Sequence, residues 1–226
     1  MLPKRGVSRV YAPAVPDHPA NPVRPADAGP PVLQWDHAPT AILKALPSQT
    51  RSAVVRIAGP VGSGKSTLAR RLAAAGEALL ISTDEYLPDY DTTPEHLRDE
   101  PAASHLDELA GHLAELRAGR AVDLPVWCFH EHRRIGRRTA RPAPLIVVEG
   151  IHALQGVLDS PGSLAVLVHA DTGVRWARWE ALEASGQRGW GVERARAFFD
   201  AVAEPTFARH RPAYLARADY LVINDG

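Results

Sequence analysis

Between an apolar run, Ala53-Val-Val-Arg-Ile-Ala-Gly59, and a stretch of helical spacing that begins near Lys65, nine residues read Gly59-Pro60-Val61-Gly62-Ser63-Gly64-Lys65-Ser66-Thr67. The spacing G-x-x-x-x-G-K-[ST] constrains the fold of this chain more than any other feature. Three glycines let the backbone wrap tightly, so that several N–H groups converge on one point. The helix that follows turns its positive end toward the same point. The lysine adds a mobile charge and the serine a hydroxyl that a hard cation can use. A loop built this way holds the phosphates of a nucleoside triphosphate. Gly59 through Thr67 are therefore expected to bind that triphosphate, with Lys65 on the β- and γ-phosphates and Ser66 on Mg²⁺. A glycine-rich turn without a ligand is the alternative, and the flanking strand and helix weigh against it.

The rest of the pattern agrees. Strands are predicted at Ala78 to Ser82, Pro144 to Gly150, Leu164 to Ala170 and in the closing run DYLVIN. Helices are predicted at about 65–75, 104–118, 173–185 and 192–209, with a short one in TAILKAL, Thr40 to Leu46. Near-continuous apolar strands alternating with helices predict an α/β fold of the P-loop NTPase type, a parallel sheet flanked by helices on both faces. Eight of the 20 prolines fall within the first 31 residues, which carry no apolar periodicity. Residues 1–35 are expected to be an extended or disordered leader, and 36–226 the folded domain.

Composition removes several classes of function. With 26 basic and 26 acidic side chains, the chain lacks the basic excess of a nucleic-acid binder. One cysteine forms no internal disulfide. No stretch approaches the length of a membrane span, and prolines interrupt the N-terminus where a signal peptide would need its apolar core. A cytoplasmic protein acting on a small molecule is expected, with no nucleic-acid or membrane partner. Assembly into a homo-oligomer stays open.

Three features bear on what receives the phosphate. Asp84 and Tyr86, both expected to meet the acceptor, follow the strand Ala78 to Ser82, and strand C-termini open onto the ligand crevice of an α/β sheet. A carboxylate there can take the proton of an acceptor hydroxyl; a helix cap is the plainer role. Glu149 ends LIVVEG, where it can hold Mg²⁺ or simply serve a turn. Arg175 and Arg178 share a helix face and are expected to meet the charge of the transferring phosphate, or else to be solvated.

At these residues the chain resembles the uridine kinase and phosphoribulokinase family of P-loop kinases, from about Ala53 to Asp225. ISTDEY looks like the family segment that carries the catalytic Asp, which falls on Asp84. Asp99-Glu-Pro-Ala-Ala is similar to the family's D-x-P-x-A. LRAGRAVDLPVWCFHEHRR resembles L-x-x-G-x-x-V-x-x-P-x-Y-D-F-x-x-H-x-R, with Trp127-Cys128-Phe129 standing where the family has Y-D-F. VVEGIHAL is close to V-x-E-G-I-x-A-L, and FARHRPAYLARADYLVIND looks like the family's last helix and strand. The resemblance implies an ATP-dependent kinase whose acceptor pocket is lined by Trp127, Phe129, His132 and Arg134. It also implies a phosphate contact from Arg188 in a lid after the fourth main helix. The expected acceptor is the 5′-hydroxyl of a pyrimidine nucleoside. Another hydroxylated metabolite, such as a sugar phosphate or a pantothenate-like alcohol, is the alternative within the class. A nucleotide-dependent switch is the alternative outside it.

Overall fold

The computed structural model describes residues 29–47 and 52–226. Six parallel strands form the main sheet: β1 (Val32–Gln34), β2 (Ala53–Ala58), β3 (Ala78–Ser82), β6 (Leu145–Glu149), β7 (Leu164–His169) and β8 (Tyr220–Ile223). Their order is β1-β8-β7-β2-β6-β3, so β2, which feeds the glycine loop, lies between β7 and β6. Every residue of β2 is buried, as a strand covered on both faces must be.

Two apolar clusters cover the sheet. On one face α1 (Ala38–Ala45) and α2 (Lys65–Ala74) contribute Ile42, Leu68 and Leu72 against Val55, Ile57 and Val147. On the other, α3 (Leu106–Arg117) sets Leu109, Leu113 and Leu116 against Val54, Ile146 and Val148. Leu124 joins them from a two-stranded antiparallel ribbon, β4 (Val122–Cys128) and β5 (Arg133–Ala140). A third cluster of Trp179, Ala195, Phe198 and Phe199 joins α4 (Thr172–Ala184) to α5 (Val192–Phe198) and to the turns beyond it. Among the described residues no helix is long and apolar enough to cross a membrane.

The α/β architecture is the one expected, and most predicted elements match within two residues. Three differences have physical causes. Residues 32–34, assigned to the Pro-rich leader, instead form the edge strand β1, because Val32-Leu-Gln offers a free ladder to β8 once Pro31 has accepted a bond from Leu221 N. The remaining leader residues up to 28 lie outside the described residues. The β4–β5 ribbon was not expected at all. Finally, the predicted 192–209 helix is three pieces: α5, a π turn over Phe199–Ala203, and α6 (Glu204–Arg217). Pro205, which has no N–H to give, stands at the start of α6 and accounts for the widened turn.

Arg56 is an unusual resident of the central strand. Its side chain is 6% exposed and donates to Asp159 at 2.6 Å, and Asp159 also receives Arg217 at 2.7 Å. The pair fastens β2 to the loop before β7 and to the end of α6.

Candidate active site

A cleft of about 600 Å³ opens at the C-terminal ends of β2, β3 and β6. Its floor is the glycine loop. Gly62 and Gly64 adopt φ of 74° and 97°, and a Cβ at either would collide, with the Arg175 backbone in one case and Asn224 in the other. Asn224 donates to Ser63 O at 2.8 Å, and Trp35 packs beside Gly64. The loop is therefore braced from both termini of the sheet and from α4. Gly59, Pro60 and Ser63 are part of this frame, while Val61, Gly62, Gly64, Lys65, Ser66 and Thr67 line the cleft itself.

Lys65 folds back on the loop, its Nζ 2.9 Å from Pro60 O. Burial pushes its pKa below the usual lysine value, and Glu149 and Asp84 work against that shift. Ser66 Oγ donates to Glu149 at 3.1 Å. Burial, aided by Asp84, raises the Glu149 pKa. Asp99, also buried, is pushed up to about 7 by desolvation and then by Asp84. Carboxylates crowded at a loop of converging N–H groups suit a hard cation and a polyphosphate. The donors present thus fit ATP and Mg²⁺: loop amides and Lys65 for phosphate, Ser66 and Glu149 for the metal.

Asp84 lines the cleft. It is not a cap: Ser82 caps the 3₁₀ turn Thr83–Tyr86, accepting from Asp84 N at 3.2 Å, which leaves the Asp84 side chain free. Phe129, His132, Arg178 and Arg188 also face the cleft, and the Arg188 guanidinium lies 3.8 Å from the centre of the Phe129 ring.

Outside the glycine loop, four expected site residues do not. Arg175 is buried and spends its donors on the frame: Glu204 through both terminal nitrogens at 2.5 and 2.6 Å, Ala170 O, Thr172 Oγ1 and Val61 O. It braces the loop from below rather than meeting phosphate. Tyr86 is fully buried and bonded to His112 at 2.8 Å. Trp127 is 8% exposed and stands edge-on behind Tyr90, at 5.3 Å between ring centres. Arg134 is committed to Glu108 at 2.7 Å.

The residues that replace them were not singled out. Tyr90 and Trp190 line the cleft with His132, and the three ring centres are separated by 5.3, 5.4 and 6.1 Å. The one-turn geometry after β3 explains the exchange of tyrosines: Tyr86 turns inward and the next tyrosine reaches the cleft. Asp99 lies in a segment that the sequence marks, D-E-P-A-A, without revealing its side chain's place. Glu183 gathers the lid by accepting from Trp190 N at 3.2 Å, Gly191 N at 3.1 Å and Trp179 Nε1 at 3.1 Å. No local pattern announces that role.

Comparison with known proteins places this geometry. Residues 54–214 match the model of the phosphoribulokinase / uridine kinase family. A uridine kinase of Deinococcus deserti is 34% identical over 138 residues, 57% of this chain and 67% of that protein. A uridine kinase of Lactobacillus johnsonii is 30% identical over 188 residues, 78% of this chain and 88% of that protein. The match to a Schizosaccharomyces pombe uridine kinase, 34% identical over 44% of this chain, spans 24% of that longer protein. Among solved structures, a candidate fructose transport system kinase from a Silicibacter species superposes with a TM-score of 0.62 at 19% identity, over 81% of this chain and 96% of the other. A protein described as a possible uridine kinase from Bacillus stearothermophilus gives 0.54 at 18% identity, over 83% and 96%. These two likenesses speak for the fold.

Proposed function

The chain belongs to the phosphoribulokinase / uridine kinase family and is a P-loop kinase, and from that premise we propose that it transfers the γ-phosphoryl group of Mg²⁺-ATP to the 5′-hydroxyl of a pyrimidine nucleoside. The observation that carries the reading is the sharing of one cleft by Lys65, Asp84, Asp99 and an aromatic wall. Lys65 leaves the Pro60 carbonyl and meets the β- and γ-phosphates. Asp84 accepts the proton of the attacking hydroxyl. Arg178 and Arg188 reach the same space and offset the charge that develops on the transferring group. When bound, Mg²⁺ neutralises phosphate charge, and Ser66 and Glu149 are the residues that would hold it. Asp99 accepts a hydrogen bond from a second hydroxyl of the acceptor, which fixes its orientation. Phe129 and His132 offer an apolar face and a polar edge to the base.

One observation favours a second reading, a non-aromatic hydroxylated metabolite. Tyr90, His132 and Trp190 already touch one another and leave no slot between any two of them for a third planar ring. A sugar or polyol needs no slot, since it can rest on a ring face while two carboxylates take its hydroxyls.

ADP formation with Mg²⁺-ATP, measured against uridine, cytidine, purine nucleosides, ribulose 5-phosphate and pantothenate, separates the readings. Turnover with uridine or cytidine is the expected result. Turnover with a sugar phosphate or pantothenate alone would transfer the site to the second reading. Asp84→Asn should lower turnover by about 10³-fold while ATP binding persists. Equal turnover in this variant would remove Asp84 from the mechanism, and acceptor-independent hydrolysis would favour a nucleotide switch.

A further inference from the structure

A buried carboxylate near another carboxylate gains by swinging out to water, so something must hold the backbone of Asp99. Asp99 belongs to no strand or helix. It sits between two single 3₁₀ turns, Glu95–Leu97 and Pro101–Ala103. The group that reaches its main chain is His152, which is 4% exposed and lies three residues beyond Glu149. His152 Nε2 is 2.5 Å from Asp99 O, and its Nδ1 is 2.6 Å from Tyr214 Oη. Gln155 Nε2 donates to the same Tyr214 oxygen at 2.8 Å.

The chemistry of the partners assigns every proton in this chain. A carbonyl only accepts, so Nε2 carries the imidazole hydrogen and gives it to Asp99 O. Nδ1 then accepts, Tyr214 gives its one hydroxyl proton to His152, and Tyr214 accepts in turn from Gln155. Only a neutral imidazole in this tautomer satisfies all four groups. Burial agrees, since it holds the His152 pKa down at about 4. The neighbouring Glu100 is tied to α6 as well, through Arg209 and His210.

We infer that His152 is a positioning residue for the acceptor: through the main-chain carbonyl of Asp99 it fixes where that carboxylate stands in the cleft. The inference rests on the reading of Asp99 as a grip on the acceptor. It also links the acceptor side of the cleft to Glu149, because the short segment that carries His152 leaves β6 directly after Glu149.

The test uses the full chain, uridine as the probe acceptor, and the variants His152→Leu, His152→Gln and Asp99→Asn. His152→Leu should raise the KM for uridine about tenfold, near 1.4 kcal/mol, and leave the KM for ATP unmoved. His152→Gln, whose amide can donate to the Asp99 carbonyl, should recover most of the loss. Added to Asp99→Asn, His152→Leu should cost nothing more, because the two act through one group. Additive losses, an equal rise in the KM for ATP, or a glutamine variant as impaired as the leucine one would overturn the inference. An unmoved uridine KM in Asp99→Asn would sink the reading of Asp99 instead. Should the parent not turn over uridine, the nucleoside reading fails, and amide hydrogen exchange decides the positioning. Faster exchange by about tenfold over residues 97–101 in His152→Leu, with residues 59–67 unchanged, upholds it; equal exchange refutes it. Tyr214→Phe keeps the ring, removes only the proton donor to Nδ1, and should give the same changes in weaker form.

Discussion

Asp99 carries the site's clearest dependence on pH. Folding moves its carboxyl from an ordinary value near 3.8 up to about 7, chiefly by removing water and secondarily by the nearness of Asp84. The folded chain therefore holds this proton more tightly than the unfolded chain. Stability from this group is complete below about pH 4 and is lost as the pH climbs toward 7. Asp99→Asn keeps the shape and removes the charge, so its melting temperature should exceed that of the parent by several degrees at pH 8 and by little at pH 4. Thermal melts across that range check the sign; a gap that does not widen with pH contradicts it. Acceptor affinity should run the other way, with the KM of the parent falling as Asp99 ionises between about pH 6 and 8. Stability and substrate grip thus pull in opposite directions at a single carboxyl.

Arg175 and Arg178 look interchangeable in a sequence, three residues apart on one face of α4. The structure separates them by what stands opposite. Arg175 faces Glu204 at the start of α6 and becomes a strut between two helices and the loop carbonyl of Val61. Arg178 faces the cleft and leans on Gly62 O and Asn224 O, both at 3.2 Å. Arg175→Met should lower stability by about 3 kcal/mol, because it strands a partly buried carboxylate. Arg178→Met should leave the melting temperature nearly unchanged and reduce turnover by about 10²-fold. Urea denaturation beside a turnover assay reads both, and similar losses in the two variants would erase the distinction. Much of the elements' layout was legible because buried parallel strands write themselves as apolar runs. Asp84 and Glu149 were legible because strand ends face the crevice. The β4–β5 ribbon was not: Pro125 interrupts one strand, and Arg133, Arg134, Arg137 and Arg138 hide the other. Two of its arginines are spent on partners distant in sequence, Arg138 on Glu85 at 3.0 Å and Arg134 on Glu108. Which tyrosine or tryptophan reaches the cleft depends on the direction of one short turn and one lid, and no periodicity records that.

The sheet as a whole is laced through its ends. Among the described residues β1 pairs only with β8, and β8 lies between β1 and β7. Trp35, directly after β1, packs beside Gly64, gives its carbonyl to Arg71 of α2 at 3.1 Å and lies under the same guanidinium. Asn224, directly after β8, holds Ser63 O. Removal of residues 1–28 keeps all of these contacts, which begin beyond them, and gives the reference chain. Removal of residues 1–36 should lower the melting temperature and weaken ATP binding several-fold, through the loss of β1 and Trp35. Isothermal titration with ATP on the two truncated chains measures this, and equal affinities would show that the loop holds its shape unaided.

The lacing sets a timetable for synthesis. β1 has no ladder to join until β8 follows it, and nearly all of the described residues must be made between the two. A nascent chain arrested before Tyr220 would already display the glycine loop, but without β8 alongside β7 or Asn224 behind Gly64. Such a chain should hold nucleotide poorly, so the grip on ATP would mature only once translation has passed Asn224.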